Sequence, residues 1–545
     1  MEGDILKLYH IRTIEELKKY KENWNHILET NQNTNPFIEF EWIVNWWLYI
    51  GKKKPVEIIA VEDNEEMIAF FPFQFTNKWK STMVEFIGRD EAKYMDVIVY
   101  DNNRKTTLAF VLDQLIAAIP NVIFNLHGLM SSSKTTNILF AYLKNRQYQT
   151  TVFPVVTPYI NMESIDLNDY LKPRTKLHGL DRREKRLRLL GDVKVATNDP
   201  SDLDSVFALH DKHWKQKHDT SKFTNPAHKQ FYQSLLSVKD GPMEVKVDTL
   251  CLNNQMIAFT YGIVCRGRYL SYLIGHDDDY KLYSPGRILV KELIRNSKNQ
   301  RVKIFDMSIG YEPYKLDWHT GLDTTNTILF SSNELTTRLM IHLMKGKGYL
   351  NAALNKNYKI VLIKRQVLGR STHFLNHIKE IKWVNGLKKI RGSLFSRKSI
   401  DLYQQPKGDA AVVDFQLMKH EEVIKEELEH TDVNKKFYSG FLPYRSTDAS
   451  MFWVNPKVIR MDEVDYLESL PRQSFFVDEW QIHQLPEICS FLRHEQQGEN
   501  IFISTSNRDE SLTKHLKHLG FSRVNKISKV QILNISKTRV ISEVD

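Results

Sequence analysis

One short run combines the residue types that seat a phosphate group at the start of a helix: Ser284-Pro285-Gly286-Arg287. Serine is a common helix N-cap, proline fits the first helical position, and glycine lets a ligand approach the backbone closely. The N–H groups of Gly286, Arg287 and Ile288 would point out of the positive end of the helix, and Arg287 would add a guanidinium fork. We therefore predict a pyrophosphate site over residues 284–288. The alternative is that the run only starts a helix.

Titratable side chains that could carry acid–base chemistry lie close to this run: His276, Asp306, Glu312, Tyr314 and Lys315. Asp306 falls in an apolar strand pattern, where an unpaired carboxylate is costly, so it must pair or have a raised pKa. A structural ion pair with Lys315 or Arg287 is the competing interpretation for Asp306. Glu312 follows a glycine in a loop and is the more accessible base.

Basic side chains crowd residues 172–188, among them Arg182, Arg183 and Arg186. Either several of them face a cleft and hold phosphates of the donor or of a sugar-linked substrate, or they form a solvated helix face. Trp214 is predicted to line an acceptor pocket or to belong to a helical core. Histidines and carboxylates with metal-ligand spacing are not found nearby, so we predict no metal.

The elements that position these residues occur twice in the chain. An Asn-containing turn, an Ile-Gly dipeptide and an apolar run follow one another in both copies. The landmarks are residues 63–70, 86–90 and 121–126 in the first copy and residues 253–259, 273–277 and 303–307 in the second. Only the second copy inserts Ser-Pro-Gly before its helix. The duplication predicts two like domains with one site.

Strands paired as hairpins and then crossed over by helices predict an α/β (α+β) fold, with mixed sheets flanked by helices. We expect two like domains at residues 1–160 and 165–335, a basic amphipathic linker at 336–404, and a smaller α/β domain at 405–545. In the first domain, the Trp42 and Trp46 face of a helix is most simply core. A strand-helix-strand over residues 500–521 predicts that the last domain is a degenerate copy of the same fold.

The bulk composition is that of a globular protein, with 42% hydrophobic and 26% charged residues. Three scattered cysteines argue against a disulfide framework and predict a reducing, cytoplasmic location. Neither a signal peptide nor a membrane span is predicted. Residues 356–398 hold twelve Lys or Arg against the single acid Glu380, so this segment carries more than the net charge of +10.

The basic segment at residues 356–398 interleaves its charges with apolar residues. This pattern predicts peripheral contact with an anionic membrane at its inner face. The alternative is a solvated linker packed on the catalytic unit. Nucleic-acid binding is disfavoured because no aromatic-basic module accompanies the charge.

The first 330 residues resemble the CelD-like type of the GNAT acyltransferase superfamily. The motifs that carry the resemblance occur in the family's order: Asn35-Pro36-Phe37, Gly88-Arg89-Asp90 with Tyr94-Met95-Asp96, Arg182 to Leu187, Tyr283-Ser284-Pro285-Gly286, and Phe305-Asp306 with Tyr314-Lys315. The resemblance implies tandem GNAT domains, as in Fem-type peptidoglycan aminoacyltransferases. It also implies an acyl donor, usually acyl-CoA such as acetyl-CoA, at residues 284–288, and an amine acceptor held by Arg89, Asp90, Tyr94 and Asp96.

Within the resemblance, Lys315 falls where Fem-type enzymes carry a lysine near the reacting carbonyl, which implies a role in charge stabilisation. Tyr314 is the expected acid for the leaving thiolate. The superfamily's fuller glycine-rich loop is reduced here to Gly286. The leading hypothesis is an N-acyltransferase that uses acyl-CoA to modify an amino sugar or another precursor of a cell-envelope polysaccharide. The alternatives are a transferase that uses aminoacyl-tRNA and a non-catalytic, membrane-docked saccharide-binding scaffold.

Overall fold

The structure is a computed structural model of the 545-residue chain. It describes residues 6–78, 81–172, 177, 179–197, 203–216, 221–239, 241–331, 342, 346, 395–406, 415–426, 430–445, 450–506, 510–532 and 535–542. The chain divides into two compact units. Unit 1 takes the described residues of 1–184, 193–277 and 284–370, and unit 2 takes those of 185–192, 278–283 and 371–545.

The first half of the N-terminal region, up to residue 161, alternates strands and helices. Its strands are β1 Lys7–Ile11, β2 Val56–Asp63, β3 Glu66–Lys78, β4 Ser81–Phe86, β5 Ile98–Val99, β6 Val122–Met130 and β7 Gln149–Asn161. Its helices are α1 Ile14–Lys18, α2 Lys21–Thr30, α3 Phe40–Tyr49, α4 Arg104–Ala118 and α5 Lys134–Asn145.

The second half, residues 162–331, repeats this order. Its strands are β8 Val193–Thr197, β9 Met243–Leu252, β10 Gln255–Cys265, β11 Arg268–His276, β12 Ile304–Asp306 and β13 Gly321–Ser331. Its helices are α6 Leu167–Leu171, α7 Leu180–Arg188, α8 Leu203–Gln216, α9 Pro226–Leu236, α10 Pro285–Ser297 and α11 Pro313–Trp318.

The described strands of unit 1 form one mixed sheet, so the α/β class predicted from the sequence is confirmed. The strand order is β1-β2-β3-β4-β6-β13-β7-β12-β11-β10-β9-β8, and β5 pairs with β3. The pairs β4–β6 and β11–β12 are parallel, and the other pairs are antiparallel. The last strand of each half pairs with the other half: β13 with β6, and β7 with β12. The halves therefore exchange their final strands.

Both predicted hairpins are present, with the same tight turn. Asn64 and Glu65 connect β2 to β3, and Asn253 and Asn254 connect β9 to β10; all four residues have positive φ angles. Two consecutive residues with positive φ are typical of a type I′ turn, which matches the twist of the flanking strands and favours asparagine. The repeated asparagines seen in the sequence thus have a backbone cause.

The core of unit 1 contains the predicted tryptophan face. Trp42 and Trp46 on α3 and Trp24 on α2 are fully buried, which confirms the core interpretation. The Asn35 side chain accepts a hydrogen bond from the Phe37 N–H at 3.1 Å. It caps a short 3₁₀ turn over Pro36–Ile38, and α3 begins only at Phe40.

Unit 2 contains a second sheet. Its strands are β14 Phe395–Gln405, β15 Gln416–Leu417, β16 Leu442–Arg445, β17 Met451–Asn455, β18 Val458–Met461, β19 Tyr466–Ser469, β20 Ser474–Asp478, β21 Asn500–Thr505, β22 Ser522–Ile532 and β23 Ile535–Ser542. Its helices are α12 His420–Glu426, α13 His430–Ser439, α14 Leu485–His494 and α15 Glu510–His518.

The larger sheet of unit 2 repeats the order of one half of unit 1. It runs β15-β16-β17-β20-β21-β14-β22-β23, with β20 and β21 parallel and α14 between them in the chain. Strand β14 lies between β21 and β22, as β13 lies between β6 and β7. The predicted strand-helix-strand over residues 500–521 corresponds to β21 and α15, but the next strand begins only at Ser522.

The predicted basic segment, residues 356–398, falls outside the described residues except for its last four, which belong to β14. Its membrane contact therefore stays a prediction. Among the helices that the structure describes, none is long and apolar enough to cross a bilayer.

Candidate functional site

The central feature of the second half is a split between its two parallel strands. β11 and β12 pair only over Arg268–Leu270 and Ile304–Asp306. Beyond Asp306 the chain stays hydrogen-bonded to β7, through Met307 N–H to the Pro158 carbonyl at 3.0 Å, while β11 continues to His276 along β10. From Ser271 onward, β11 thus turns one backbone edge towards the split, where N–H and C=O groups can meet a ligand.

Helix α10 begins beside the far end of β11. A Cβ atom built on Gly286 lies 3.7 Å from Ile274 Cδ1 and 3.8 Å from His276 Nδ1, which is ordinary van der Waals contact. The predicted helix start after Ser284 is therefore placed at the open end of the split. There its positive end can meet a negatively charged group.

The details of this helix start differ from the sequence prediction. Ser284 has φ 58°, a left-handed conformation, and its side chain makes no capping hydrogen bond. The N–H groups of Arg287 and Ile288 both donate to the Ser284 carbonyl, at 3.0 and 3.1 Å. The sequence predicted that the N–H groups of Gly286, Arg287 and Ile288 would all be available to a ligand. This prediction is wrong for Arg287 and Ile288, because both N–H groups are used to close the first turn of the helix. Pro285 occupies the first helical position, as predicted.

Two arginines reach the start of α10. Arg183 Nη1 donates to Ser284 Oγ at 2.6 Å. Arg287 Nη2 donates to Asp317 Oδ2 on α11 at 2.9 Å, so its guanidinium is already paired with an acid. The structure therefore places Arg183 and Arg287 at the start of α10, but the charge of Arg287 is balanced by Asp317.

A buried carboxylate, Glu91, lies at the split and gathers partners from the second half. Its side chain accepts hydrogen bonds from Tyr232 OH at 2.6 Å, Lys222 Nζ at 2.9 Å and Tyr272 OH at 3.0 Å, and His228 Nε2 lies 3.2 Å away. Burial alone would raise its pKa, but these partners hold the pKa of Glu91 well below its usual range. Glu91 is therefore an ionised anchor.

Lys93 lies next to this anchor and has a lowered pKa. Its Nζ is 5.5 Å from the centre of the Tyr272 ring, and Tyr272 is on β11 just past the split. Burial lowers the pKa of Lys93 to about 8, helped by the nearby charges of Lys222 and Lys315 and opposed by Glu91. An amine with this pKa can accept a proton near neutral pH.

Asp306 is part of a second buried network. It is fully buried and accepts hydrogen bonds from Arg268 Nε at 2.8 Å, Tyr94 OH at 2.8 Å and the Ser308 N–H at 2.7 Å. The expected ion pair is present, but its partner is Arg268 and neither Lys315 nor Arg287. Three donors from three segments indicate that Asp306 and Tyr94 hold the two halves in register.

Lys315 and its neighbours lie on the other wall of the split. Lys315 Nζ donates to the Ile309 carbonyl at 2.5 Å and lies 3.0 Å from Glu312 Oε2. Glu312 is exposed, but its carboxylate is already paired with Lys315, which weakens its case as a base. Burial raises the pKa of Tyr314, with a further contribution from the charge of Glu312, so the phenol keeps its proton.

Other predicted residues are spread more widely. The His276 ring lies 5.1 Å from that of His213, and the half-buried Trp214 donates its indole N–H to His210 Nε2 at 2.9 Å. Arg89 pairs with Glu85, and the exposed Asp90 lies 3.8 Å from Lys54.

The remaining predicted residues are not gathered at the split. Asp96 accepts a hydrogen bond from Ser133 Oγ at 2.5 Å, at the start of α5. Arg182 is exposed on α7. Arg186 belongs to unit 2, where its guanidinium lies 4.6 Å from the Tyr438 ring.

The equivalent splits elsewhere are bridged. In the first half, the Met95 N–H donates to the Gly128 carbonyl on β6 at 2.9 Å. A Cβ at position 128 would lie 2.5 Å from Met95 N, and φ is 84°, so only glycine fits this closure. In unit 2, Trp480 Nε1 donates to the Ser504 carbonyl near the end of β21 at 3.3 Å. The second half is thus the best candidate for a ligand cleft.

Sequence reasoning missed Glu91, Lys93, Lys222, Tyr272 and Arg268. Glu91 and Lys93 lie between two predicted residues, Asp90 and Tyr94, and a pair of opposite charges inside that motif was the available signal. Lys222 and Tyr272 gave no such signal, because only the strand exchange brings them to residues 91–93.

The region that contains this split was compared with models of known protein families. Residues 174–316 match the family model of the acetyltransferase (GNAT) domain. This part of the chain is therefore similar to a GNAT acetyltransferase domain. The match runs from α7 into α11, and so includes the β11–β12 split and the start of α10. The CelD-like type suggested by the sequence motifs stays a prediction.

Solved structures with similarity to the chain include FemX (11% identity, TM-score 0.41, covering 58% of this chain and 96% of FemX). Others are a tandem GNAT protein from the clavulanic acid biosynthesis pathway (9%, 0.38, 60% and 98%) and a GCN5-related N-acetyltransferase from Sphaerobacter thermophilus (11%, 0.31, 59% and 95%). Among curated proteins the comparison found no match.

Proposed function

We propose that this protein is an N-acyltransferase that moves an acyl group from acyl-CoA to an amine acceptor. The observation that carries the proposal is the open β11–β12 split inside the GNAT domain, with a helix start at one end and Lys93 beside it. The split offers backbone groups to an acyl carbonyl. The helix start and two guanidinium groups suit a pyrophosphate.

The acyl donor would be held by the start of α10. A Cβ atom at Gly286 would make only ordinary contacts with Ile274 and His276, and glycine leaves this space beside the start of the helix unfilled. Arg183 and Arg287 supply positive charge, although Arg287 must share its charge with Asp317. The residues present therefore fit a pyrophosphate-containing donor, with two arginines substituting for part of the missing glycine-rich loop.

The chemical step would form a C–N bond and break the thioester C–S bond. Lys93 in its neutral form takes the proton that the acceptor nitrogen loses, and its lowered pKa makes that form available near neutral pH. Lys315 would stabilise negative charge on the carbonyl oxygen, and Tyr314 would give a proton to the departing sulfur. Glu91 acts through Lys93 and Lys222 and is a positioning residue.

We propose an amino sugar of a cell-envelope polysaccharide precursor as the acceptor. Support comes from the resemblance of the sequence motifs to CelD-like acyltransferases.

Calorimetric titration of the full chain with acetyl-CoA and longer acyl-CoAs tests the proposal. We expect one site per chain, because the other two splits are bridged by Met95 and Trp480. Arg287→Ala should weaken binding, and Gly286→Trp should abolish it by filling the space beside Ile274 and His276. Arg295→Ala, at the other end of α10, is the matched control for the first variant.

The outcomes separate the alternatives. No binding of any acyl-CoA by a folded chain would overturn the CoA-dependent proposal. Transfer from aminoacyl-tRNA that is lost on RNase treatment would then identify the donor as RNA-bound. If the chain binds no acyl-CoA and transfers nothing from aminoacyl-tRNA, the remaining hypothesis is a non-catalytic saccharide-binding scaffold. Two or more acyl-CoA sites per chain would contradict the assignment of the donor site to the GNAT domain.

A further inference from the structure

A cavity of about 320 Å³ lies in unit 1 and is not part of the β11–β12 split. Its wall combines side-chain amides and hydroxyls with apolar groups. Asn31, Asn33, Thr34 and Ser132 supply polar atoms, and Ile38 and Val97 are among the apolar groups. Its volume is at the lower end of the range for small-molecule sites, which is about 300–1,000 Å³.

The charged side chains that line the cavity form ion pairs with other side chains of the protein. Asp101 accepts a hydrogen bond from Arg104 Nη2 at 2.8 Å and also pairs with Lys134. Arg268, the one lining residue from the second half, is paired with Asp306 at 2.8 Å. The wall therefore carries no unbalanced charge that would select an ionic ligand.

The start of α5 also lines the cavity, but it already has a carboxylate beside it. Asp96 accepts a hydrogen bond from Ser133 Oγ, and Ser133 is the N-cap of α5. A phosphate placed there would meet the carboxylates of Asp96 and Asp101, and the nearby cations Arg104 and Lys134 are already paired with them. The cavity thus offers a phosphorylated ligand no unpaired positive side chain.

We propose that this cavity binds an uncharged, hydroxyl-rich ligand of about one or two sugar rings. Amide and hydroxyl groups can both donate and accept hydrogen bonds with ring hydroxyls, and ion-paired carboxylates keep lone pairs for the same purpose. The apolar part of the wall suits the C–H faces of a sugar ring. This site is separate from the acyl-transfer chemistry and needs no acyl donor.

The cavity connects to the split through a row of rings. The Arg268 guanidinium lies 5.7 Å from the Tyr94 ring, Tyr94 lies 5.9 Å from Phe37, and Phe37 lies 5.5 Å from Tyr272. Lys93 lies over Tyr272 at the far end of this row. The cavity is thus linked to Lys93 through three aromatic side chains.

Calorimetric titration of the full chain with glucose, N-acetylglucosamine and maltose, and with glucose 6-phosphate, tests the inference. We expect a neutral sugar to bind at least fivefold more tightly than the phosphorylated one. Thr34→Trp, which fills the cavity from its wall, should reduce neutral-sugar affinity at least tenfold. Thr30→Trp, at the exposed end of α2, is the matched control and should leave affinity unchanged.

A second variant keeps the test valid if Thr34→Trp does not fold. Ser132→Phe fills the cavity from an exposed position and should give the same loss. Absence of binding by every neutral sugar, tighter binding of the phosphorylated sugar, or full affinity in both folded cavity variants would overturn the inference. The titrations contain no acyl donor, so a failure of acyl transfer would not change their result.

Discussion

Burial and neighbouring charges together set the pKa of Lys93. Burial and the charges of Lys222 and Lys315 favour the neutral amine, whereas Glu91 favours the ammonium form. The balance lowers the pKa of Lys93 to about 8, from the value of 10.5 that an ordinary lysine has. Because an unfolded chain would hold the proton more strongly between these two values, the stability contributed by this group should rise with pH there.

Removing the charge of Glu91 should lower the pKa of Lys93 further. We expect NMR of ¹³C-labelled lysine to show one residue titrating near pH 8 in the unchanged protein, and below that in Glu91→Gln. Lys93→Met should remove the signal and flatten the rise of stability with pH. Glu22→Gln and Lys105→Met, at exposed positions, are the controls. Ordinary titration of every lysine would contradict a role for Lys93 as a base.

Between elements, the Arg287–Asp317 pair joins the start of α10 to the end of α11. Arg287 is at the beginning of α10 and Asp317 is in α11, and each side chain is about one quarter exposed. A donor phosphate at α10 would compete with the Asp317 carboxylate for the same guanidinium. The acid thus weakens the charge that the donor meets, and it keeps Arg287 in place when no donor is bound.

Asp317→Asn should tighten acyl-CoA binding by about two- to fivefold, since a partly exposed ion pair is worth up to about 1 kcal/mol. Calorimetric dissociation constants measure the change. Glu292→Gln removes an acid that pairs with Arg295 on the same helix, but it lies away from the helix start and should have no effect. Unchanged or weaker binding by Asp317→Asn would show that Arg287 does not contact the donor.

In unit 1 as a whole, the exchange of final strands makes the two halves interdependent. The partners of β7 in the described sheet are β13 and β12, and both come from the second half. β13 in turn lies between β6 and β7. Each half alone would leave long unpaired strand edges, which are costly and prone to aggregation.

Residues 1–164, produced separately from residues 165–545, should therefore fold only when the two chains are mixed. Circular dichroism should show no cooperative thermal transition of the sheet for residues 1–164 alone and one transition after mixing. A chain cut by a protease between residues 162 and 166 after folding is the control and should stay associated. Independent folding of residues 1–164, with an unchanged melting temperature, would contradict the interdependence.

The sequence by itself determined the local structure. The asparagine turns predicted both hairpins, because type I′ geometry selects residues that tolerate positive φ. The tryptophan periodicity of α3 predicted its buried face, and Ser-Pro-Gly predicted where α10 begins. Each of these features depends on residues a few positions apart, whose spacing is fixed by the backbone itself.

Only the tertiary structure decided which distant residues meet. The strand exchange joins Tyr94 to Asp306 and Glu91 to Lys222, across 212 and 131 positions of sequence. Pairing of β11 with β12 gave Asp306 the partner Arg268, where the sequence suggested Lys315 or Arg287. The contact between the halves also lowered the pKa of Lys93, which depends on burial and on charges from the second half. Neither burial nor long-range pairing can be deduced from the spacing of nearby residues. The surroundings of Lys93 could therefore be recognised only in the tertiary structure.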